Sequence, residues 1–204
     1  MDKSLTKQPK VNLGDKRLNR RYEKILEEFV KQPMESIPAT FRNWHQLKAV
    51  YRFFANPKVT KEKLVAHQFE QTINNINSLE DDVKDILLIQ DTTHLNYQSQ
   101  KTKELNPTHS QVAKGLYLHP TIAITPCKIN LGLVAAKMWT GKPLTEKENL
   151  THRSKRPITQ KESYKWIESF QQSEEIAKKC PHKTIFNISD READVYDLFL
   201  EADK

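Results

Sequence analysis

The stretch Ile86-Leu87-Leu88-Ile89-Gln90-Asp91 decides how the chain is read. Four consecutive apolar residues followed by an amide and a carboxylate carry no helical period; so short a run, stopped by polar residues, is expected of a central strand buried on both faces. What precedes it reads as helix. Leu18, Tyr22, Ile25, Leu26 and Phe29 recur at helical spacing behind Asp15, a candidate N-cap, and Lys31-Gln32-Pro33 supplies a basic last turn and a stop. A second helix is expected from near Thr40, carrying Trp44, Leu47, Tyr51 and Phe54 inward and ending at Asn56-Pro57. A third follows Thr60, with Val65, Phe69, Ile73 and Ile76 as its apolar stripe and Asn74, Asn75 and Asn77 marking fraying towards a connection.

Beyond Asp91 the residues 117–125 and 131–139 form two further strand candidates, joined by a connection of hairpin length over 126–130. Residues 141–160 are charged and patternless, as in a functional loop, in which Lys155-Arg156 could touch a DNA backbone or simply be solvated. A helix around Tyr164, Trp166, Ile167, Phe170 and Ile176, a strand over 184–188 and a helix over 193–200 complete the pattern. The expected fold class is α/β. An all-α domain spans residues 1–80, and a mixed sheet in the order β-β-β-α-β-α spans 81–204.

Composition excludes several classes. The four glycines fall in neither a GxGxxG nor a GxxxxGK[ST] pattern, which leaves no Gly-rich cradle for a nucleotide phosphate. Cys127 and Cys180 form no CxxC pair, and no apolar stretch approaches a membrane span or a secretory signal, so a reducing cytoplasm is the expected location. The net charge of +7 is lopsided: residues 1–80 hold 15 Lys/Arg against 9 Asp/Glu, and residues 81–204 hold 18 against 17. A one-sided excess suits a phosphate-backbone binder, because each cation that neutralises a phosphate releases condensed counterion; it would equally serve as a solubilising surface. The basic residues opposite the apolar stripes are the candidate DNA contacts: Arg17, Arg20, Arg21 and Lys24 on the first helix, and Arg42, Lys48 and Arg52 on the second.

Asp91 and Asp190 each follow a strand, where a side chain projects into a loop. If those strands are neighbours, the two carboxylates face one another within the span of one magnesium ion, a hard cation that takes one or two carboxylates and completes its shell with water and substrate phosphates. The competing reading makes Asp91 a loop residue and Asp190 the N-cap of the following helix. His94 and His119 lie near this place and are assigned no metal role.

The run Ile89-Gln90-Asp91-Thr92-Thr93 resembles the first catalytic-aspartate motif of the cut-and-paste DDE transposases of bacterial insertion sequences, the group that includes the transposon-five transposase. Ser189-Asp190-Arg191-Glu192-Ala193-Asp194 resembles the second. Leu13-Gly14-Asp15 with Arg17, Tyr51-Arg52-Phe53, Asn56-Pro57 with Val59, and Lys161-Glu162-Ser163 with Lys165-Trp166 match in the same order, so that the resemblance covers roughly residues 12–204. It implies a helical domain that grips double-stranded transposon-end DNA and a ribonuclease-H-like catalytic domain. It also implies phosphoryl transfer assisted by Mg2+ or Mn2+, with Asp91 bridging two ions and Asp190 holding one. The third acidic residue of the family, a glutamate in a YREK-type signature, lies farther downstream than Lys204, which is 14 residues past Asp190. The chain therefore reads as the front of a bacterial, nucleoid-associated transposase, ribonuclease-H-like but incomplete and inactive alone, with Leu198, Phe199 and Leu200 exposed or paired with another chain. The alternatives are a non-catalytic DNA-binding or dimerising regulator that pairs with itself or a full-length transposase, and an inert gene remnant.

Overall fold

A computed structural model describes residues 10–97, 105, 114–140 and 156–203. The fold is α/β: N-terminal helices are followed by a mixed sheet with helices. The chain divides into two compact units, Met1–Gln71 and Thr72–Lys204. The division falls inside a helix, whereas the sequence expectation drew it after residue 80.

In the first unit, α1 (Lys16–Lys31) begins where expected: the Asp15 carboxylate accepts from the Arg17 N–H at 2.8 Å, which holds the Asp15 carboxyl below its usual range. Tyr22 and Ile25 of its stripe are buried, with Leu18, Leu26 and Phe29 packed around them. The second helical region departs from the expectation. Ile37–Thr40 is a separate short helix, α2, and the main helix α3 runs Trp44–Phe54 from an Asn43 cap. Packing against α1 selects the face that turns inward. Val50 and Phe53 are buried and Phe53 stacks on Tyr22 at 6.1 Å, while Trp44, Tyr51 and Phe54, expected inside, are exposed.

Helix α4 (Lys61–Asn77) contributes His67 and Gln68 to the first unit, Gln68 donating to the Tyr22 hydroxyl at 3.1 Å. Its last residues belong to the second unit and show no fraying. Thr72 Oγ1 donates to the Leu133 carbonyl at 2.8 Å and Asn75 Nδ2 to the Leu131 carbonyl at 2.7 Å.

Among the described residues four strands, rather than three, precede the next long helix: β1 (Asp85–Gln90), β2 (Thr93–Asn96), β3 (Gly115–Ile124) and β4 (Asn130–Trp139). β1 and β2 pair antiparallel with β3 in one register, from Leu87 opposite Ile124 to Asn96 opposite Gly115. They are one line of strand interrupted at Asp91-Thr92. The register brings Pro120, which has no N–H for a ladder, opposite Asp91. β2 escaped sequence reading because Thr93-His94-Leu95-Asn96 holds one aliphatic residue. β4 flanks the other edge of β3, and two register shifts leave Leu131 and Val134 unpaired there, both of them buried.

Helix α5 (Tyr164–Lys179) packs against β4 and β5 (Thr184–Ile188), burying Trp166, Ile167 and Ile176. β5 lies parallel to β1 on the edge away from β3. The expectation of a strand buried on both faces is corrected: Ile86, Leu88 and Gln90 are buried, but Ile89 and its register partners Ile122 and Ile188 are exposed, as is Phe186. The helix α6 (Tyr196–Ala202) closes the described chain, with Phe199 and Leu200 exposed and Leu198 half-buried. No helix among the described residues is long and apolar enough to cross a membrane.

Candidate functional site

The N-terminal unit carries a groove of about 390 Å³ between α1 and α3, lined by Arg17 and Arg21 from the first helix and by His45, Lys48 and Arg52 from the second. Both elements present these residues because their opposite faces are spent on the core: Tyr22 and Ile25 turn inward from α1, Val50 and Phe53 from α3. Arg17 stands 4.0 Å from Asp15, and Arg21, Lys48 and Arg52 make no ion pair among the described residues. Like charges so grouped are stabilised by an arriving anion rather than by the protein itself. Four of the seven predicted DNA-contacting cations therefore share one groove. Arg20, Lys24 and Arg42 are exposed but do not line it, and Arg42 donates through Nε to the Ala39 carbonyl at 3.3 Å. Between Glu35 and Glu62 the chain holds no Asp or Glu and five Lys/Arg, a signal that dividing the charge at residue 80 averaged away.

The second unit brings the two predicted carboxylates to adjacent strands. β1 and β5 run parallel from Asp85 opposite Thr184 to Ile89 opposite Ile188, so the register, continued two residues, sets Asp91 opposite Asp190. Adjacent strands are roughly 4.8 Å apart. Both carboxylates are exposed; Asp91 Oδ1 accepts from the Thr92 N–H at 2.6 Å, and Asp190 Oδ1 from the Glu192 N–H at 2.9 Å. Asp190 thus does cap the short turn Arg191–Ala193, as the competing reading held. The second oxygen of each carboxylate has no hydrogen bond among the described residues. Each of the two neighbouring strand ends thus carries one exposed carboxylate, and among the described residues no group of three or more His, Cys, Asp or Glu side chains that could hold a metal ion is found.

Next to Asp91 lies a partly buried polar relay that sequence reasoning missed. Thr92 Oγ1 is 2.9 Å from His119 Nδ1, His119 Nε2 is 3.2 Å from Gln90 Oε1, and Gln90 Nε2 donates to Asn187 Oδ1 at 2.7 Å. With the Gln90 amide nitrogen committed to Asn187, its oxygen accepts from His119 Nε2–H, and the Nδ1 lone pair accepts from the Thr92 hydroxyl. The relay joins β3, β1 and β5. Its signal in the sequence is Gln90 falling in step with Ile86 and Leu88, a polar residue at a buried position. Lys165 is also buried, with Nζ 5.0 Å above the Trp166 ring and 3.6 Å from Glu192 Oε2. His94 packs edge-on against Tyr117.

Burial pushes the His119 pKa down to about 4, reinforced by the Lys165 and Lys137 charges and opposed by Asp91. The folded state therefore holds neutral imidazole, and the unfolded chain binds more protons between pH 4 and 6.5. The stability that His119 contributes is complete above about pH 6.5 and declines as pH falls towards 4, by on the order of 3 kcal/mol in full. Denaturant titrations should show this loss in the wild type and a smaller one in His119→Gln; identical pH profiles would refute it. The difference is the measure, because burial also lowers the His67 pKa.

A cation-lined groove between two helices of a small all-α unit is suited to an anionic ligand such as a phosphate backbone. Residues 7–59 match the family model of the transposase DNA-binding domain, a span that contains the whole groove and all seven predicted cations. The match supports a transposase-type N-terminal domain whose partner is DNA. Lys155, in the expected loop over 141–160, lies outside the described residues.

Proposed function

We propose that this protein acts in cut-and-paste DNA transposition. The N-terminal helical domain, drawn at residues 1–80, holds transposon-end duplex, and the sheet that follows is the ribonuclease-H-like part that faces the scissile phosphate. The groove carries this reading: four cations from two helices, three of them without an ion pair among the described residues, with no acidic residue in the lining. Asp91 and Asp190 would hold Mg2+ or Mn2+, which in such a place supplies charge neutralisation at a phosphate and activation of a water or 3′-hydroxyl. The chain's own share is orientation: the Thr92 and Glu192 N–H groups fix one oxygen of each exposed carboxylate. Such a protein works in the bacterial cytoplasm, as a homodimer or paired with a full-length transposase.

The direct test is titration of the chain into labelled duplex DNA across a range of salt. Each phosphate contact adds about 0.9 to the downward log–log slope, so four give a slope near −3.6, and a flat dependence would overturn the reading. For the metal, calorimetry should detect weak Mn2+ or Mg2+ binding that Asp91→Asn and Asp190→Asn each abolish, because one carboxylate competes poorly with the hydration shell. The alternative reading, a protein that occupies DNA ends or pairs with a transposase without cutting, shares the groove and requires nothing of Asp91 and Asp190. DNA binding that persists while both Asn variants leave metal binding unchanged would favour it.

A further inference from the structure

The outer face of α3 carries more than charge. Trp44, Lys48, Tyr51 and Arg52 stand at i, i+4, i+7 and i+8, which puts two aromatic rings and two cations on one side of the helix. The rings are open to solvent, Trp44 at 67% and Tyr51 at 50%, although the same unit buries Tyr22, Phe41 and Phe53 in its core. Leaving an indole in water forgoes the gain that its burial would bring, and neither ring takes part in the core of its own unit. Lys48 and Arg52 line the groove; Trp44 and Tyr51 share their helix face, and α3 contains no acidic residue.

Resting on the reading of this unit as a DNA binder, we propose that the α3 face is a combined phosphate and nucleobase site. Lys48 and Arg52 neutralise backbone phosphates while Trp44 and Tyr51 stack on bases that are unpaired. The ligand is DNA in which a single-stranded or frayed segment adjoins duplex. Paired bases keep their π-faces covered by their neighbours in the stack, so flat rings on a helix gain most from bases already unstacked. Phosphate alone would be served by the cations, with any small polar residues at 44 and 51.

The test uses the full chain and three labelled DNAs: a blunt duplex, the same duplex with a short single-stranded flank, and that duplex with the flank reduced to abasic sugar-phosphate. Anisotropy titrations should show the base-bearing flank bound about tenfold or more tightly than the abasic one, since stacking on an aromatic side chain is worth about that per base. In Trp44→Ala/Tyr51→Ala the ratio should fall to about one, and in Trp44→Phe/Tyr51→Phe it should return in large part. Both pairs of changes fall on solvent-exposed rings, and circular dichroism verifies that the helices persist. Equal affinity of the wild type for base-bearing and abasic flanks overturns the proposal, as does a preference that survives in the double alanine variant. Failure to bind any of the three DNAs overturns the DNA-binding reading itself, an outcome distinct from tight but base-indifferent binding.

Discussion

Changing Arg17, Arg21, Lys48 and Arg52 together to alanine is expected to weaken duplex binding by on the order of a hundredfold at physiological salt and to flatten the log–log salt slope by about 3.6. The two readouts have one cause. Each cation lost is a phosphate left with its counterions, so affinity and salt sensitivity fall together. Substitution should not unfold the domain, because all four are surface positions on helices anchored by Tyr22, Ile25, Val50 and Phe53. The companion variant, with Arg20, Lys24 and Arg42 changed instead, should lose much less, since these three lie outside the groove. Equal losses in the two variants would show that total charge matters and the groove does not.

The largest expected effect on folding belongs to Gly132→Ala. Gly132 has φ +133°, and a Cβ built there would lie 2.4 Å from Thr72 Oγ1. That hydroxyl cannot simply retreat, because it donates to the carbonyl of Leu133, the next residue along β4. Backbone strain of roughly 1–3 kcal/mol and overpacking of similar size give a destabilisation of about 2–6 kcal/mol, measurable as a lowered denaturant midpoint. Thr72→Ala in the same background should recover the steric part and leave the backbone part, a partial rescue. A midpoint that does not move in Gly132→Ala would contradict the close approach of α4 to β4.

The contrast between α1 and α3 shows what a sequence discloses. In α1 the apolar stripe, the Asp15 cap and the basic last turn agree, and the helix forms where those signals put it. In α3 four aromatic residues are distributed around the helix, so hydrophobicity alone cannot say which face goes in; packing of Val50 and Phe53 in one core with Tyr22 and Ile25 decides it, and Trp44 and Tyr51 turn out. Asp91 and Asp190 were legible because carboxylates directly after apolar strands are conspicuous, and whether β1 and β5 are neighbours is a matter of topology. The relay of Thr92, His119, Gln90 and Asn187 was hidden for a deeper reason. Its partners are as many as 97 residues apart, and no local period records a hydrogen bond between strands.

The single register that joins β1 and β2 to β3 gives the two aspartates different backbone settings. Asp91 sits between two paired segments of one ladder, tethered on both sides, while Asp190 follows the last residue of β5 and leads into a one-turn helix. The two are therefore held by different means: Asp91 by the ladders on either side of it, Asp190 by the turn whose Glu192 and Ala193 N–H groups donate to its carboxylate and its carbonyl.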